Sequence, residues 1–219
     1  MRFKYINIYS SYAGSSEKTK SLTRMFRNDS AHVSELYERL MKYYDNSCCK
    51  QLNITCDINS REYYVEDLSE GFPVVHIPFD LKIYKSLKGI EISRFWLKAI
   101  SDTINYVGML WGWNLDFFKS IPEKIEKLNF KNSYKYGKYV KASDSKRNAA
   151  IWVEQNLNST SVYLIIFEGR KELRRILVKE TEPPEFCYSK FLGNIVWTSG
   201  QDIRIISKFG SEVIFECAV

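Results

Sequence analysis

The stretch from residue 134 to residue 217 places the strongest constraint on the fold. Short turn sequences rich in glycine, proline, asparagine and serine divide it into seven segments that are typical of strands. Connections this short join neighbouring strands in antiparallel order. One segment, 162–167, is apolar at every position, which predicts a central strand covered on both faces. The seven predicted strands span 134–142, 148–157, 161–168, 173–180, 190–198, 201–208 and 211–217.

A long apolar segment, Ser93–Trp113, precedes these strands and predicts a central buried helix. We expect Ser93 to cap this helix and the later sheet to be built against it. The apolar arc is wide, which indicates neighbours on more than one side. Its main stripe consists of Trp96, Ile100, Ile104, Val107 and Trp111.

The first part of the chain mixes both kinds of periodicity. Alternating apolar residues predict strands at 2–12 and 50–58, and prolines bracket a short or edge strand at 72–79. Helical spacing predicts a helix over 31–44 capped by Asp29 or Ser30, after a short helix, and another over 80–88. A capping box at 120–123 predicts a further helix start. The fold class is therefore α+β, with mixed strands and helices, a central buried helix and a C-terminal antiparallel β-meander.

Length and composition indicate a globular protein. The 219 residues, 45% hydrophobic and 26% charged, suffice for one large domain or two small ones. We expect a single domain over 1–219, with a possible sub-boundary near 131 between a helical half and the C-terminal sheet. Five cysteines without metal-ligand spacing fit free thiols in a reducing cytoplasm. No apolar run approaches the roughly 20 residues of a membrane span, so no membrane association is expected.

Residues with catalytic chemistry are scarce. The two histidines, His32 and His76, have no triad partners placed by sequence, and ordinary packing explains them better. The glycines form no phosphate-binding motif, and the cysteines and histidines form no metal motif. We therefore expect a protein that acts by binding, is not an enzyme and has no cofactor.

Charge is distributed regionally, and the acidic region suggests a protein contact. The net charge is −3 over 62–92, although the whole chain carries +6. Tyrosine supplies large contact area at low entropic cost, so tyrosines flanked by carboxylates suit protein recognition. An ordinary solvated loop remains the alternative. The candidate partner-binding residues are Glu62, Tyr63, Tyr64, Glu66, Asp67 and Glu70.

A basic, tyrosine-rich segment at 131–147 suggests a different function. It contains six basic residues and one acidic residue, and tyrosines alternate with its lysines. Cations beside stacking aromatics suit RNA or single-stranded DNA. The alternative is an edge strand whose lysines prevent aggregation. The candidate nucleic-acid-binding residues are Tyr134, Lys135, Tyr136, Lys138, Tyr139, Lys141, Lys146 and Arg147.

Three stretches within 95–216 resemble bacterial immunity proteins of contact-dependent inhibition and polymorphic toxin systems. They are FWLKAISDTINYVGMLWGWNLDFF, YKYGKYVKASDSKRNAAIWVEQNLNSTSVYLIIFEG and IVWTSGQDIRIISKFGSEVIFE. The resemblance lies in the layout: an amphipathic helix, a lysine-rich lead and a meander. It implies a cytoplasmic protein that binds a cognate toxin, such as a nuclease, and covers its active site. A basic nuclease would have to be contacted by the local acidic segments 62–70 and 180–185.

Overall fold

The computed structural model describes residues 1–10, 17–66, 70–143 and 146–219, with only the backbone of 17–19. The chain divides into two compact units, Met1–Lys131 and Asn132–Val219. The predicted α+β class with a C-terminal antiparallel sheet is confirmed. None of the helices in the described ranges is both long and apolar enough to cross a membrane. That the two units act as a single domain stays a prediction.

The first unit is an α/β arrangement around one four-stranded sheet. The order of its strands is β2-β4-β6-β5, in which the first three are parallel and β5 is antiparallel to β6. A separate pair of two-residue strands, β1 and β3, is antiparallel. The strands are β1 (Arg2–Phe3), β2 (Tyr5–Ser10), β3 (Tyr44–Asp45), β4 (Gln51–Asp57), β5 (Tyr64–Glu66) and β6 (Val74–Pro78). The helices are α1 (Glu17–Met41), α2 (Leu81–Ser86), α3 (Ile90–Trp111) and α4 (Asp116–Lys127).

Two of the N-terminal predictions need correction. A single 25-residue helix, α1, replaces the two that were expected, and Asp29 lies inside it instead of capping a second one. No glycine or proline interrupts residues 17–41, so nothing in the backbone stops the helix there. Of the two alternatives for 72–79, the edge strand is wrong because β6 lies between β4 and β5, whereas the short strand agrees with its five residues. Its two prolines cause no conflict because Pro73 precedes the strand and Pro78 ends it.

The central helix is confirmed, but its predicted cap is wrong. α3 begins at Ile90, so Ser93 lies within its first turns, buried, with its Oγ 2.8 Å from His32 Nε2 of α1. The helix ends at Gly112, whose left-handed φ of 66° favours glycine. The following helix, α4, already begins at Asp116, which places Pro122 within it and not in its first turn.

The apolar face of the first sheet and the helices form one core. Fully buried side chains from β4, α1 and α3 meet in it, including Leu52, Leu36 and Ile100. The buried stripe of α3 contributes to this core, whose members all come from the first unit. That the C-terminal sheet is built against α3 stays a prediction.

The second unit contains two antiparallel sheets with a core between them. The order in the larger sheet is β10-β9-β8-β7, and the smaller one is the meander β11-β12-β13. Their inner faces share a core that includes Ile151, Leu164 and Ile203. The larger sheet contains β7 (Asn132–Lys141), β8 (Arg147–Gln155), β9 (Thr160–Glu168) and β10 (Lys171–Thr181). A short helix α5 (Glu185–Tyr188) and a 3-10 turn (Ser189–Phe191) lead to β11 (Asn194–Trp197), β12 (Asp202–Ile206) and β13 (Val213–Ala218).

All seven predicted C-terminal strands exist, and 162–167 lies in the central strand β9. The prediction at 190–198 begins too early, because α5 and the 3-10 turn occupy the chain until Phe191. Gly193 then passes so close to β12 that a Cβ there would lie 2.1 Å from the Ile206 carbonyl oxygen. The pattern of the sequence gave no sign of this close approach.

A buried hydrogen-bonded chain joins three helices of the first unit. Trp96 Nε1 of α3 donates to the Tyr84 hydroxyl of α2 at 3.1 Å, and that hydroxyl donates to Asp29 Oδ2 of α1 at 2.5 Å. Burial raises the pKa of Asp29, while the hydrogen bond from Tyr84 lowers it. The Tyr84 hydroxyl therefore provides a hydrogen-bond partner for both the indole N–H of Trp96 and the carboxyl group of Asp29.

Replacing Tyr84 with phenylalanine should destabilise the first unit. The variant would leave a buried indole N–H without its acceptor and the Asp29 carboxyl without its donor, which costs about 1–3 kcal/mol. Urea unfolding followed by tryptophan fluorescence measures this loss. Tyr64→Phe is the matched control because Tyr64 is 43% exposed and its loss should stay within about 0.5 kcal/mol. Equal losses for the two variants would contradict the role given to Tyr84.

The buried His32 makes stability depend on pH. Burial lowers its pKa from 6.5 to about 4, and the nearby backbone of Asp29 opposes part of this shift. Below pH 6.5 the imidazole of His32 is protonated in the unfolded chain but stays neutral in the folded protein until the pH approaches 4. The stabilisation is therefore complete above pH 6.5 and is lost as the pH falls towards 4.

We expect His32→Gln to remove this pH dependence, whose full size is of order 3 kcal/mol. Glutamine keeps a group that can hydrogen-bond to Ser93 but does not titrate. Wild type should be the more stable at pH 7, and its advantage over the variant should shrink as the pH falls from about 6.5 to about 4. Chemical unfolding of both proteins across this range measures the difference between their free energies of unfolding. The other titrating groups are common to both proteins, so their contributions cancel in this difference. A difference independent of pH would refute the assignment.

Candidate functional site

Part of the predicted acidic loop is a strand. Tyr64, Val65 and Glu66 form β5, the outer strand of the first sheet, opposite His76, Val75 and Val74 of β6. The expectation of an irregular loop over 60–71 was therefore wrong at these positions. Of the predicted contact residues, Asp67 lies outside the described residues. Backbone pairing holds Tyr64 and Glu66 in place, so they are less free than loop residues would be.

Three side chains of β4 and β5 surround His76 of β6. The Tyr64 ring stacks on the imidazole with centroids 4.2 Å apart and planes 6° apart. Glu66 Oε2 lies 3.1 Å from His76 Nε2, and Asp57 Oδ2 lies 3.8 Å from Nδ1. The Tyr64 hydroxyl also donates to Asp57 Oδ2 at 3.4 Å. These contacts orient two acidic groups and one aromatic ring at the edge of the sheet.

The environment of Tyr64 keeps its phenol protonated. Desolvation raises the pKa of Tyr64, and the neighbouring Asp57 and Glu66 carboxylates raise it further. The ring is nevertheless 43% exposed. Tyr64 is therefore a neutral hydrogen-bond donor with an accessible aromatic surface beside two carboxylates, a combination that suits contact with a polar or cationic partner group.

Tyr63 faces the other side and fixes the segment before β5 to α3. Its ring lies 5.3 Å from that of Tyr106, and the Tyr106 hydroxyl donates to the Tyr63 carbonyl at 3.0 Å. Partial burial, followed by the charge of Asp102, raises the pKa of Tyr63. Glu62 and Glu70 are exposed. The predicted residues are thus divided, with Tyr63 an anchor and Tyr64 and Glu66 presented to solvent.

We call Asp57, Glu62, Tyr64, Glu66, Glu70 and His76 the acidic edge. Sequence reasoning missed Asp57 and His76 because neither lies in the loop that the charge pattern marked. The period-two alternation of β4 was a usable signal for Asp57, since it puts Asn53, Thr55 and Asp57 on one face. Nothing in the sequence indicated that β5 would bring Tyr64 and Glu66 to His76.

The acidic edge continues into a polar face of the sheet. In one row across the sheet, Tyr9 pairs with Thr55, Thr55 with His76, and His76 with Tyr64. The sheet's other face is apolar and buried in the core. Parallel strands are usually covered on both faces and apolar on both. This face departs from that rule because it is polar. Tyrosines that are 37% and 43% exposed lie at its two ends, whereas Thr55 between them is buried. Only the ends are therefore accessible to a partner.

The basic segment divides between two faces of the second unit's larger sheet. Tyr134 and Tyr136 lie towards the core, and the Tyr134 hydroxyl is 3.2 Å from that of Tyr188. On the opposite face Lys135 Nζ lies 4.1 Å from the centre of the Tyr139 ring. The interleaved pattern suggested one surface that carries all the tyrosines and lysines. Tyr134 and Tyr136 instead lie on the opposite face from Lys135 and Tyr139.

The remaining predicted basic residues lie towards the end of β7 and the start of β8. A register shift between Tyr136 and Val140 displaces Lys138 and Tyr139 from the regular ladder, and both are exposed. Lys141 and Lys146 are exposed as well, and Arg147 Nη1 donates to the Val219 carbonyl at 3.2 Å. Their role in binding nucleic acid stays a prediction.

Comparison with known proteins yields no relative from which a function could be transferred. No protein-family model, no curated protein and no solved structure gives a significant match to this chain. The geometry and charge of the acidic edge and of the basic segment are therefore the basis for proposing a function.

Proposed function

We propose that the protein binds and neutralises a cognate toxin domain in the cytoplasm, and that it covers the toxin's active site with the acidic edge. The observation that carries the proposal is the rigid presentation of Tyr64, stacked on His76 between Asp57 and Glu66. Exposed tyrosines and carboxylates held by a sheet are the chemistry of a preorganised protein interface.

Preorganisation supports tight binding. A side chain that is ordered only on binding costs about 0.5–1.5 kcal/mol, and this cost lowers affinity. Tyr64 already has its hydroxyl bonded to Asp57, and Tyr63 already packs on Tyr106. The partner would therefore meet a surface whose aromatic groups have lost most of their freedom on folding.

Local charge supports a basic partner. The segment 62–92 carries −3, and Glu62, Glu66 and Glu70 are all exposed. Complementary charge speeds diffusional encounter and suppresses wrong partners. The basic surface of a nuclease-type toxin would fit this edge even though the whole chain carries +6. The toxin itself is suggested by the resemblance of 95–216 to immunity proteins, and the cytoplasmic location follows from the same resemblance.

The direct experiment is co-purification of the tagged protein with the C-terminal domain of the protein encoded by the neighbouring upstream gene. We expect a stable complex, and co-expression should restore growth to cells that produce that domain. A neighbouring product without growth-inhibiting activity, or no complex with it, would remove the support for toxin neutralisation.

Substitutions at the acidic edge should weaken this complex. We expect Tyr64→Ala to raise the Kd roughly 30-fold, the cost of losing a central aromatic anchor. Glu66→Lys should mainly slow association, and its effect should diminish at high salt because the contribution is electrostatic. Surface plasmon resonance separates the two rate constants.

Matched substitutions elsewhere on the first unit serve as controls. Tyr43→Ala removes another exposed tyrosine, and Glu123→Lys reverses another exposed carboxylate. Both should leave the Kd within about two-fold, the scale of energetically neutral positions. A complex that forms normally with Tyr64→Ala and Glu66→Lys but is lost in the controls would place the interface on a different surface.

A further inference from the structure

Two hairpin turns of the second unit bring basic residues together at one end of its larger sheet. The strand register aligns Lys141 with Asn148 and Asn148 with Phe167, and it aligns Arg147 with Glu168 and Glu168 with Lys171. Neighbouring strands are about 4.8 Å apart, so the end of β7, the start of β8 and the turn between β9 and β10 lie close together. We call residues 138–143, 146–147 and 168–174 the basic end.

The basic end carries a strong local charge. These residues include seven basic and two acidic ones. Lys138, Lys141, Lys146, Arg170 and Lys171 are all exposed. Three of the seven basic residues are remote in sequence from the tyrosine-rich segment 131–147: Arg170, Lys171 and Arg174. The hairpin between β9 and β10 places them beside that segment.

Two of the arginines are oriented by the last strand. Arg147 Nη1 donates to the Val219 carbonyl at 3.2 Å, and Arg174 Nη1 donates to the Ala218 carbonyl at 2.9 Å. A carbonyl oxygen is a neutral acceptor, so these contacts orient the two guanidinium groups and leave their positive charge unchanged.

An exposed aromatic ring lies beside the charges. Tyr139 is 51% exposed and packs edge to face on Phe167, with ring centroids 5.5 Å apart. Lys135 Nζ lies 4.1 Å from the centre of the Tyr139 ring. Phe167 therefore supports the ring from the sheet, and the exposed part of the ring can receive a flat group.

We infer that the basic end binds single-stranded nucleic acid, with the phosphates contacting the lysines and arginines of the two turns and an unpaired base stacking on Tyr139. Cations that follow a backbone, next to an aromatic platform, are the combination that single strands require. A duplex hides its base faces and could use the charges but not the ring. This activity goes beyond toxin neutralisation and rests on residues that the acidic edge does not share.

The test is fluorescence anisotropy with labelled oligouridine and oligothymidine of roughly 16 nucleotides. We expect binding whose logarithmic affinity falls with logarithmic salt concentration at a slope of about −2 to −3.5, which corresponds to three to five phosphate contacts on a single strand. A polyglutamate peptide of matched charge is the competitor. It should compete at least ten-fold less well than the oligonucleotide, because it offers no base to stack.

Variants locate the site. Arg170→Glu with Lys171→Glu should weaken binding at least ten-fold and flatten the salt slope, and Tyr139→Ala should weaken it about ten-fold with the slope unchanged. Lys82→Glu with Lys85→Glu makes the same change in net charge on exposed residues of α2 and should have little effect. Thermal melting followed by circular dichroism checks that every variant is folded.

Three outcomes would overturn the inference: no oligonucleotide binding at about 50 mM salt, equal competition by polyglutamate, or equal losses in the α2 control and the turn variant. Equal competition would instead identify a surface for acidic proteins. None of these outcomes affects the toxin proposal, whose test uses Tyr64 and Glu66.

Discussion

The first unit depends on the alternation of apolar and polar residues in its central strand β4. In β4, Leu52, Ile54 and Cys56 face the helices, while Asn53, Thr55 and Asp57 face the other way. A shift of one residue would reverse both faces, so the burial of three apolar side chains fixes the register. The same register fixes which polar side chains share the other face. The core and the candidate site are therefore two consequences of one pairing pattern.

The edge position of β5 converts that face into a candidate interface. Only three residues pair with β6, yet they place Tyr64 on His76 and Glu66 within 3.1 Å of the imidazole. A flexible loop with the same composition would have to order its side chains on binding. The cost of that ordering is reduced here because pairing and stacking have already fixed them.

The local charge of each surface is more informative about possible partners than the net charge of the chain. The whole chain carries +6, which would argue against contact with a basic partner. The acidic edge and the basic end are local features of different units, and each attracts partners of opposite sign at distances within the Debye length. Net charge is thus a poor guide to the partners of this protein.

Local pattern alone determined a large part of the structure. Strand periodicity and short turns identified all seven C-terminal strands and their antiparallel order, because two-fold alternation and turn chemistry are properties of neighbouring residues. Apolar spacing identified α3 in the same way. Helix ends were less predictable: α1 continues through Asp29, and α3 begins before Ser93, because a residue with capping chemistry can also bond to another helix, as Asp29 and Ser93 do.

Tertiary structure decided which functional side chains come into contact. The sequence marked Tyr64 and Glu66 by composition, but their contact with Asp57 and His76 depends on strand order, which joins residues far apart in the chain. It also brought Arg170 and Lys171 to the end of the sheet where β7 ends and β8 begins. Alternation is encoded locally and can be read from the sequence. Adjacency of strands is set by the packing of the whole core, and only the folded chain shows it.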